Sequence, residues 1–320
     1  MQRRSSACND GLGTVTSRHY RHLHYRGGMK GAAELVRAFL LGIPDRWRLL
    51  FFLTSTVGAA TLVAILTYFF VRFHQPAQDS VLTTSVYLSL GTTYAVLLAF
   101  AVNGVWQHFT EAVASVQAEA DALIDLIHAE ELLGPEAEQK ILRAALKYAR
   151  VVIEDEWPML GQVPRMQESK YGTFAREVSR DCAMEVIRAV QNIDPRTPRQ
   201  LAIFQQALSL LGSWLDARRK RLQSARGTTA AALWNLLIVG ALFLFSFHGL
   251  FVTHDALVWF LLLLGLSSVT GLAFFLIFSL DAPFAGYPAA DPGPFRWVLN
   301  WFEDEIKEPA SDTSRQRKAA

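Results

Sequence analysis

Four stretches of the chain contain no Asp, Glu, Lys or Arg: Leu49–Val71, Ser80–Thr110, Gly227–His254 and Ala256–Leu280. Each exceeds the roughly 20 residues that a helix needs to cross the hydrocarbon core of a bilayer. The pattern predicts four transmembrane helices in two pairs, with spans at about 49–71, 85–106, 229–252 and 256–280. Between the second and third spans, polar residues return with a helical period. From Thr92 to Leu133 there is no Pro, and the one Gly is Gly104. Trp106, Phe109, Val113, Val116, Ala120, Leu123 and Ile127 alternate intervals of 3 and 4, which is a heptad seam. The second span is therefore expected to leave the membrane as one unbroken helix that ends near Gly134-Pro135.

Three more amphipathic helices follow. One covers Pro135–Glu156 with Ile141, Leu142, Ala145, Ala149, Val152 and Ile153 as its stripe, and Trp157-Pro158 is expected to stop it. Met159–Lys170 reads as a loop. The next helix covers Thr173–Asn192, with Val178, Cys182, Val186, Ala189 and Ile193 inward. Thr197-Pro198 opens the last, whose seam is Leu201, Phe204, Leu208, Leu211, Leu215, Arg218 and Leu222. The expected fold class is an all-α integral membrane protein: four transmembrane helices (2+2) with a helical bundle over 111–226 between spans two and three. The remaining boundaries are a disordered 1–30 (with Met29 an alternative start), a first pair of spans within 31–110 and a second within 227–280. A turn-rich loop and short amphipathic helix fill 281–308, and 309–320 is a disordered tail. In Phe295–Lys307 one face carries Phe295, Val298, Leu299, Phe302 and Ile306. Trp297 and Trp301 suit a membrane surface; packing on the bundle explains the same face equally.

Charge sets the expected orientation. Nine of the 31 basic residues precede the first span, sixteen lie in 111–226, and the short loop around Thr253–Asp255 has none. The positive-inside rule then places both termini and the bundle in the cytoplasm. A net charge of +2 is too balanced for a nucleic-acid binder. The two cysteines, Cys8 and Cys182, do not make a disulfide framework, and Cys182 reads as a small core residue.

Candidate chemistry is sparse. Asp121, Asp125 and His128 share a helical face, but no second His or Cys cluster completes a coordination shell, so no metal is expected. Glu154-Asp155-Glu156 can attract a cation or pair with the basic run Arg218, Arg219, Lys220 and Arg221; a salt-bridged surface is the plainer reading. That basic run can itself be a topology signal, hold anionic lipid headgroups, or raise anion concentration at a pore mouth. No nucleotide-binding, zinc-protease or serine-hydrolase motif occurs, and neither an enzyme nor a cofactor is expected. The spans contain neutral polar residues instead of charges. Thr92, Val96, Ala99 and Asn103 share a face of the second span with Phe100 beside it. An apolar middle between polar ends fits a hydrophobic constriction, and helix packing fits it too. Ser267-x-x-x-Gly271 is a small-x-x-x-small pattern for close helix contact.

With these residues in view, the chain resembles the bacterial bestrophin-like family over about Tyr87–Leu299. The resembling segments are Tyr94 to Phe100 with Trp106 and Glu119-Ala120, then Tyr148 to Glu156-Trp157-Pro158. Arg218 to Arg221-Leu222, Leu233-Trp234 and Leu280-Asp281-Ala-Pro283-Phe284-Ala-Gly286 complete the set. The resemblance implies two spans, a cytoplasmic helical region and two more spans. Bestrophins proper are oligomeric anion channels, so the resemblance implies an oligomeric channel of the inner membrane for a small anion. The lipid bilayer and further copies of the chain would be its partners, and span two would line its pore. A non-conducting membrane-anchored scaffold or sensor, whose bundle binds a partner, is the competing expectation.

Overall fold

The computed structural model describes residues 39–40, 42–74, 80–130, 135–161, 179–225, 229, 231–250 and 255–307. The expected disorder in 1–30 and 309–320, the turn at Gly134, all of the expected loop Met159–Lys170 after Gly161 and the start of the helix expected from Thr173 lie outside these. Among the described residues every regular element is a helix. In chain order these are α1 (Asp45–His74), α2 (Ser80–Glu130), α3 (Pro135–Val151), a π-helical turn (Val152–Glu156) and α4 (Trp157–Leu160). They continue with α5 (Arg180–Gln191), α6 (Pro198–Ser224), α7 (Ala231–His248), α8 (Ala256–Leu280) and α9 (Gly293–Lys307). Two compact units form, one from 39–114 and 223–290, the other from 115–222 and 291 onward.

Three helices are long and apolar enough to cross a membrane: α1, α2 and α8. The expected third span, 229–252, is shorter than its charge-free stretch: α7 has 18 residues, about 27 Å at 1.5 Å per residue. It ends at a turn in which Gly249 donates to Phe245 and Ser246 and Leu250 to Phe247. Gly249 there presses on α1, and a Cβ would lie 2.5 Å from the Ala64 carbonyl oxygen. The first unit packs α8 and α7 on α1. Along α1 the buried positions Phe52, Thr56, Ala60 and Ala64 fall four apart, a narrow stripe of mostly small side chains. Gly271 of α8 meets that stripe, and a Cβ on it would lie 2.4 Å from Thr56 Oγ1 and 3.1 Å from the Phe52 oxygen. The Ser267–Gly271 pattern thus does what small residues do between membrane helices: it lets two backbones approach. Below α8 the chain turns through buried Asp281–Ala285. Asp281 Oδ1 accepts from the Thr229 amide (2.9 Å) and hydroxyl (2.7 Å), which anchors the chain ahead of α7.

In the second unit the expected helices appear with shifted faces. On α2 the buried row here is Ser115, Val116, Glu119, Ala120, Leu123, Leu126 and Ile127, so Val116 to Ile127 of the seam are inside, while Trp106 and Val113, in the first unit's part of the helix, are exposed. On α6 the row is Ala207, Leu211, Trp214, Ala217, Arg221 and Leu222. Leu208 is 38 % exposed and Leu201 is also exposed, contrary to the heptad reading. The reason is size: Trp214 and Arg221, seven residues apart, are fully buried and turn the helix toward themselves. Trp157-Pro158 does not end its helix either. A proline at 158 has no N–H and its ring crowds the carbonyl four residues back. The chain inserts a wider π turn at Val152–Glu156, with the Trp157 amide donating to Val152 five residues back, and resumes as α4. Cys182 is buried on α5, as expected of a core residue. In α9 Phe295, Val298 and Phe302 are buried within this unit, which resolves that helix in favour of packing, and Trp297 and Trp301 stay exposed.

Candidate functional site

The face anticipated on the second span is outward on α2. Thr92, Val96, Ala99, Phe100 and Asn103 are all exposed, Val96 to 54 % and Phe100 to 70 %. Tyr94, Ala101 and Val105 are buried in the unit's core. Both rows run with intervals of 3, 4 or 7, and they begin two residues apart. Two residues are about 200° of helical turn, so the rows occupy opposite sides. Tyr94 fixes the rotation: its hydroxyl donates to the Leu237 oxygen at 3.2 Å, and its ring lies where a Cβ on Gly240 would be, 2.8 Å away. The exposed side carries no charge from Ser80 to Thr110. Its hydroxyls are satisfied locally. Ser85, Ser89, Thr92 and Thr93 each donate to a carbonyl one turn back, at 2.8–3.0 Å. Those four hydroxyls can therefore meet lipid, a neighbouring helix or a narrow water column without stranding a donor.

The charged residues collect elsewhere, in the second unit. Arg221 of α6 is fully buried. Its Nε contacts Glu119 Oε2 at 2.6 Å and one terminal nitrogen reaches Glu119 Oε1 at 3.2 Å, a two-pronged pairing. The other terminal nitrogen lies 2.6 Å from Glu156 Oε1. The guanidinium carbon sits 5.8 Å from the Trp157 ring centre and 5.6 Å from that of Phe295. The hydroxyl of Tyr148 donates to Glu119, and that of Ser179 donates to Glu156. Arg218 completes the group by donating to Ser179 Oγ at 2.6 Å and approaching Glu156 to 3.9 Å. Two carboxylates and two guanidinium groups thus balance in a dry place. Burial opposes the charge on Arg221, but Glu119 and Glu156 outweigh it and hold the guanidinium above its ordinary range. Burial and the Glu119 charge push the Tyr148 phenol well above its usual value, so it remains a donor.

The basic run therefore divides. Arg221 is enclosed by its partners and cannot serve a passing anion or a lipid headgroup, and Arg218 is largely committed to Ser179 and Glu156. Arg219 and Lys220 stay at the surface, Arg219 paired with Asp216. The pairing anticipated between the acidic and basic runs is present, but buried and made by Glu156 with Arg218 and Arg221. Glu119 and Tyr148 were not singled out as chemistry, since a carboxylate that will be buried has the same sequence pattern as a solvated one. Their signal was the resemblance, whose segments include Glu119, Tyr148, Glu156, Trp157, Arg218 and Arg221. Asp121, Asp125 and His128 do not converge: Asp121 accepts from Gln117, and the His128 ring lies 5.6 Å from Phe302. Among the described residues no group of three His, Cys, Asp or Glu is placed to hold a metal.

A Bestrophin-like domain model matches residues 54–295. No curated protein matches the chain. Among solved structures, a bacterial Bestrophin homolog from Klebsiella pneumoniae is 14% identical with a TM-score of 0.58, covering 82% of this chain and 99% of that one. A point variant of that homolog gives 14% identity and a TM-score of 0.57 over 88% of this chain and 100% of its own. A structure described as a membrane protein, again a point variant, gives 15% identity and a TM-score of 0.57, covering 80% and 96%. At these identities the likeness is one of fold.

Proposed function

The chain belongs to the bestrophin-like family, and on that premise we propose that it is an oligomeric channel of the inner membrane that passes small anions, with α2 lining the pore. Four spans, cytoplasmic termini and a cytoplasmic second unit belong to the same reading, as the positive-inside count supports. The observation that carries it is the exposed, uncharged face of α2. Of the three long apolar helices α2 has the least of its surface covered by its own chain. What remains open is a row with Thr92 and Asn103 at its ends and Val96, Ala99 and Phe100 between. Around an axis of copies that row forms a ring with an apolar neck, which resists ions by dewetting. With no charge in the neck, the sign of the ion is left to fixed charge elsewhere, for which Arg219 and Lys220, the exposed members of the basic run, are the candidates.

Flux from liposomes containing the purified oligomer tests this. Ala99→Ser should raise chloride flux by wetting the neck, whereas Ala241→Ser, in the core of α7, should not. Neutralising Arg219 and Lys220 should lower chloride flux most at low ionic strength, because salt screens the field they supply. Vesicles as tight to chloride and potassium as empty ones, across voltage and with a folded oligomer, would overturn the channel and leave a membrane-anchored scaffold.

A further inference from the structure

Within the second unit, α2 and the start of α9 enclose a cleft of about 300 Å³ lined by Gln117, Ala120, Asp121, Ile124, Gly293, Pro294 and Trp297. The α2 residues are spaced 3, 1 and 3, one helical face, so the cleft has a fixed wall. Its polar content is uneven. Asp121 Oδ1 accepts from the Gln117 amide at 2.7 Å, and among the described residues Asp121 forms no ion pair. Asp125, one turn further along α2, adds a second exposed carboxylate. The basic residue nearest in sequence on α9, Arg296, is taken by Asp291 at 3.2 Å. The opposite wall is Gly293, Pro294 and an indole: Trp297 is 50 % exposed and stacked on Trp301, with centres 5.2 Å apart. A carboxylate oriented by an amide, in one cleft with an indole stacked on its neighbour, is the chemistry that selects an organic ammonium over a metal cation or an anion.

We propose that this cleft is a binding site for a small alkylammonium group, with Asp121 supplying the charge and Trp297 the cation–π surface. The site is independent of the channel reading, since neither residue belongs to the outward face of α2. The test titrates the detergent-purified full chain with tetramethylammonium chloride at constant ionic strength, read by ligand-observed NMR. One carboxylate and one indole should give saturable binding with Kd on the order of 1 mM. Asp121→Asn should weaken it about tenfold, and Trp297→Leu should weaken it several-fold. Asp216→Asn, a surface carboxylate on α6, should leave it unchanged. Thiol protection of buried Cys182 in each variant verifies the fold. An ammonium head can be a free amine or a phosphatidylethanolamine headgroup. Lower apparent affinity for tetramethylammonium in nanodiscs containing that lipid than in nanodiscs of the same phosphatidylglycerol content in which a neutral galactolipid replaces it assigns the headgroup, and equal affinity assigns the free amine. No saturable signal, an unchanged Kd in either Asp121→Asn or Trp297→Leu, or full competition by sodium would overturn the site.

Discussion

Arg221→Met is the substitution that separates a buried charge cluster from a merely crowded one. Methionine keeps most of the aliphatic stem and removes the guanidinium. In the intact protein that group makes three contacts with two carboxylates, at 2.6, 3.2 and 2.6 Å, and its side chain is fully buried. After the change Glu156 retains Ser179 and Arg218, but among the described residues Glu119 retains only the Tyr148 hydroxyl. A carboxylate is then buried with its counter-charge gone, and removing one partner of such a pair destabilises by about 3–5 kcal/mol. That is roughly a 10²- to 10⁴-fold rise in the opened fraction of the second unit. Adding Glu119→Gln removes the stranded charge and should restore at least about 1.5 kcal/mol, a coupling expected of direct neighbours. Arg219→Met, about half a turn away and on the surface, should change stability by less than about 0.5 kcal/mol.

Cys182 provides the assay. It is 2 % exposed on α5 in the same unit, so a thiol reagent reaches it when the unit opens. With Cys8 replaced by Ser, the labelling rate of Cys182 under native conditions reports the opening equilibrium. Labelling of Arg221→Met at the rate of the intact protein, or strictly additive effects of Arg221→Met and Glu119→Gln, would refute the reasoning.

Two further substitutions probe the packing. Leu211→Ala should destabilise the second unit by about 2–5 kcal/mol, while Leu208→Ala, three residues back on the exposed side of α6, should cost less than about 1 kcal/mol; the ratio of Cys182 labelling rates measures both. In the first unit Gly271→Ala should lower the thermal midpoint in detergent by the equivalent of about 1–3 kcal/mol, since its Cβ meets Thr56 and the Phe52 carbonyl, whereas Gly265→Ala on the same helix, with nothing within 4 Å, should leave it unchanged.

The apolar helices were legible because their signal is composition: long runs without charge survive any error of phase. Phase is what periodicity alone got wrong. On α6 the heptad rule chose Leu201 and Leu208, since it weighs every apolar residue alike, while burial follows Trp214 and Arg221. An arginine is scored as surface by any hydropathy pattern; it goes inside only because Glu119, 102 residues earlier, and Glu156 meet it there. The π turn was hidden for a similar reason. Proline reads as a stop, but one added residue of width in the preceding turn absorbs it. The outward row of α2 was legible as a row, because Tyr94, Ala101 and Val105 make an equally regular row opposite.

α2 solves the polar-group problem in two ways along one helix. Up to Thr110 it uses only neutral side chains, and the hydroxyls of Ser85, Ser89, Thr92 and Thr93 on its exposed side return their hydrogens to the previous turn, while the buried Tyr94 hydroxyl is met by Leu237 of α7. A serine at position 99 can bond back in the same way, so Ala99→Ser leaves nothing unpaired. At Glu119 it uses a full charge, which needs Arg221 and Tyr148 from two other helices in place at once. In the proposed channel, substitutions on the exposed row of the first stretch should therefore alter flux with little effect on folding. Substitutions at the second should alter folding before anything else. A flux defect at Arg221 is evidence about a pore only if Cys182 remains protected in the same protein. A flux change at Ala99 is evidence about it directly.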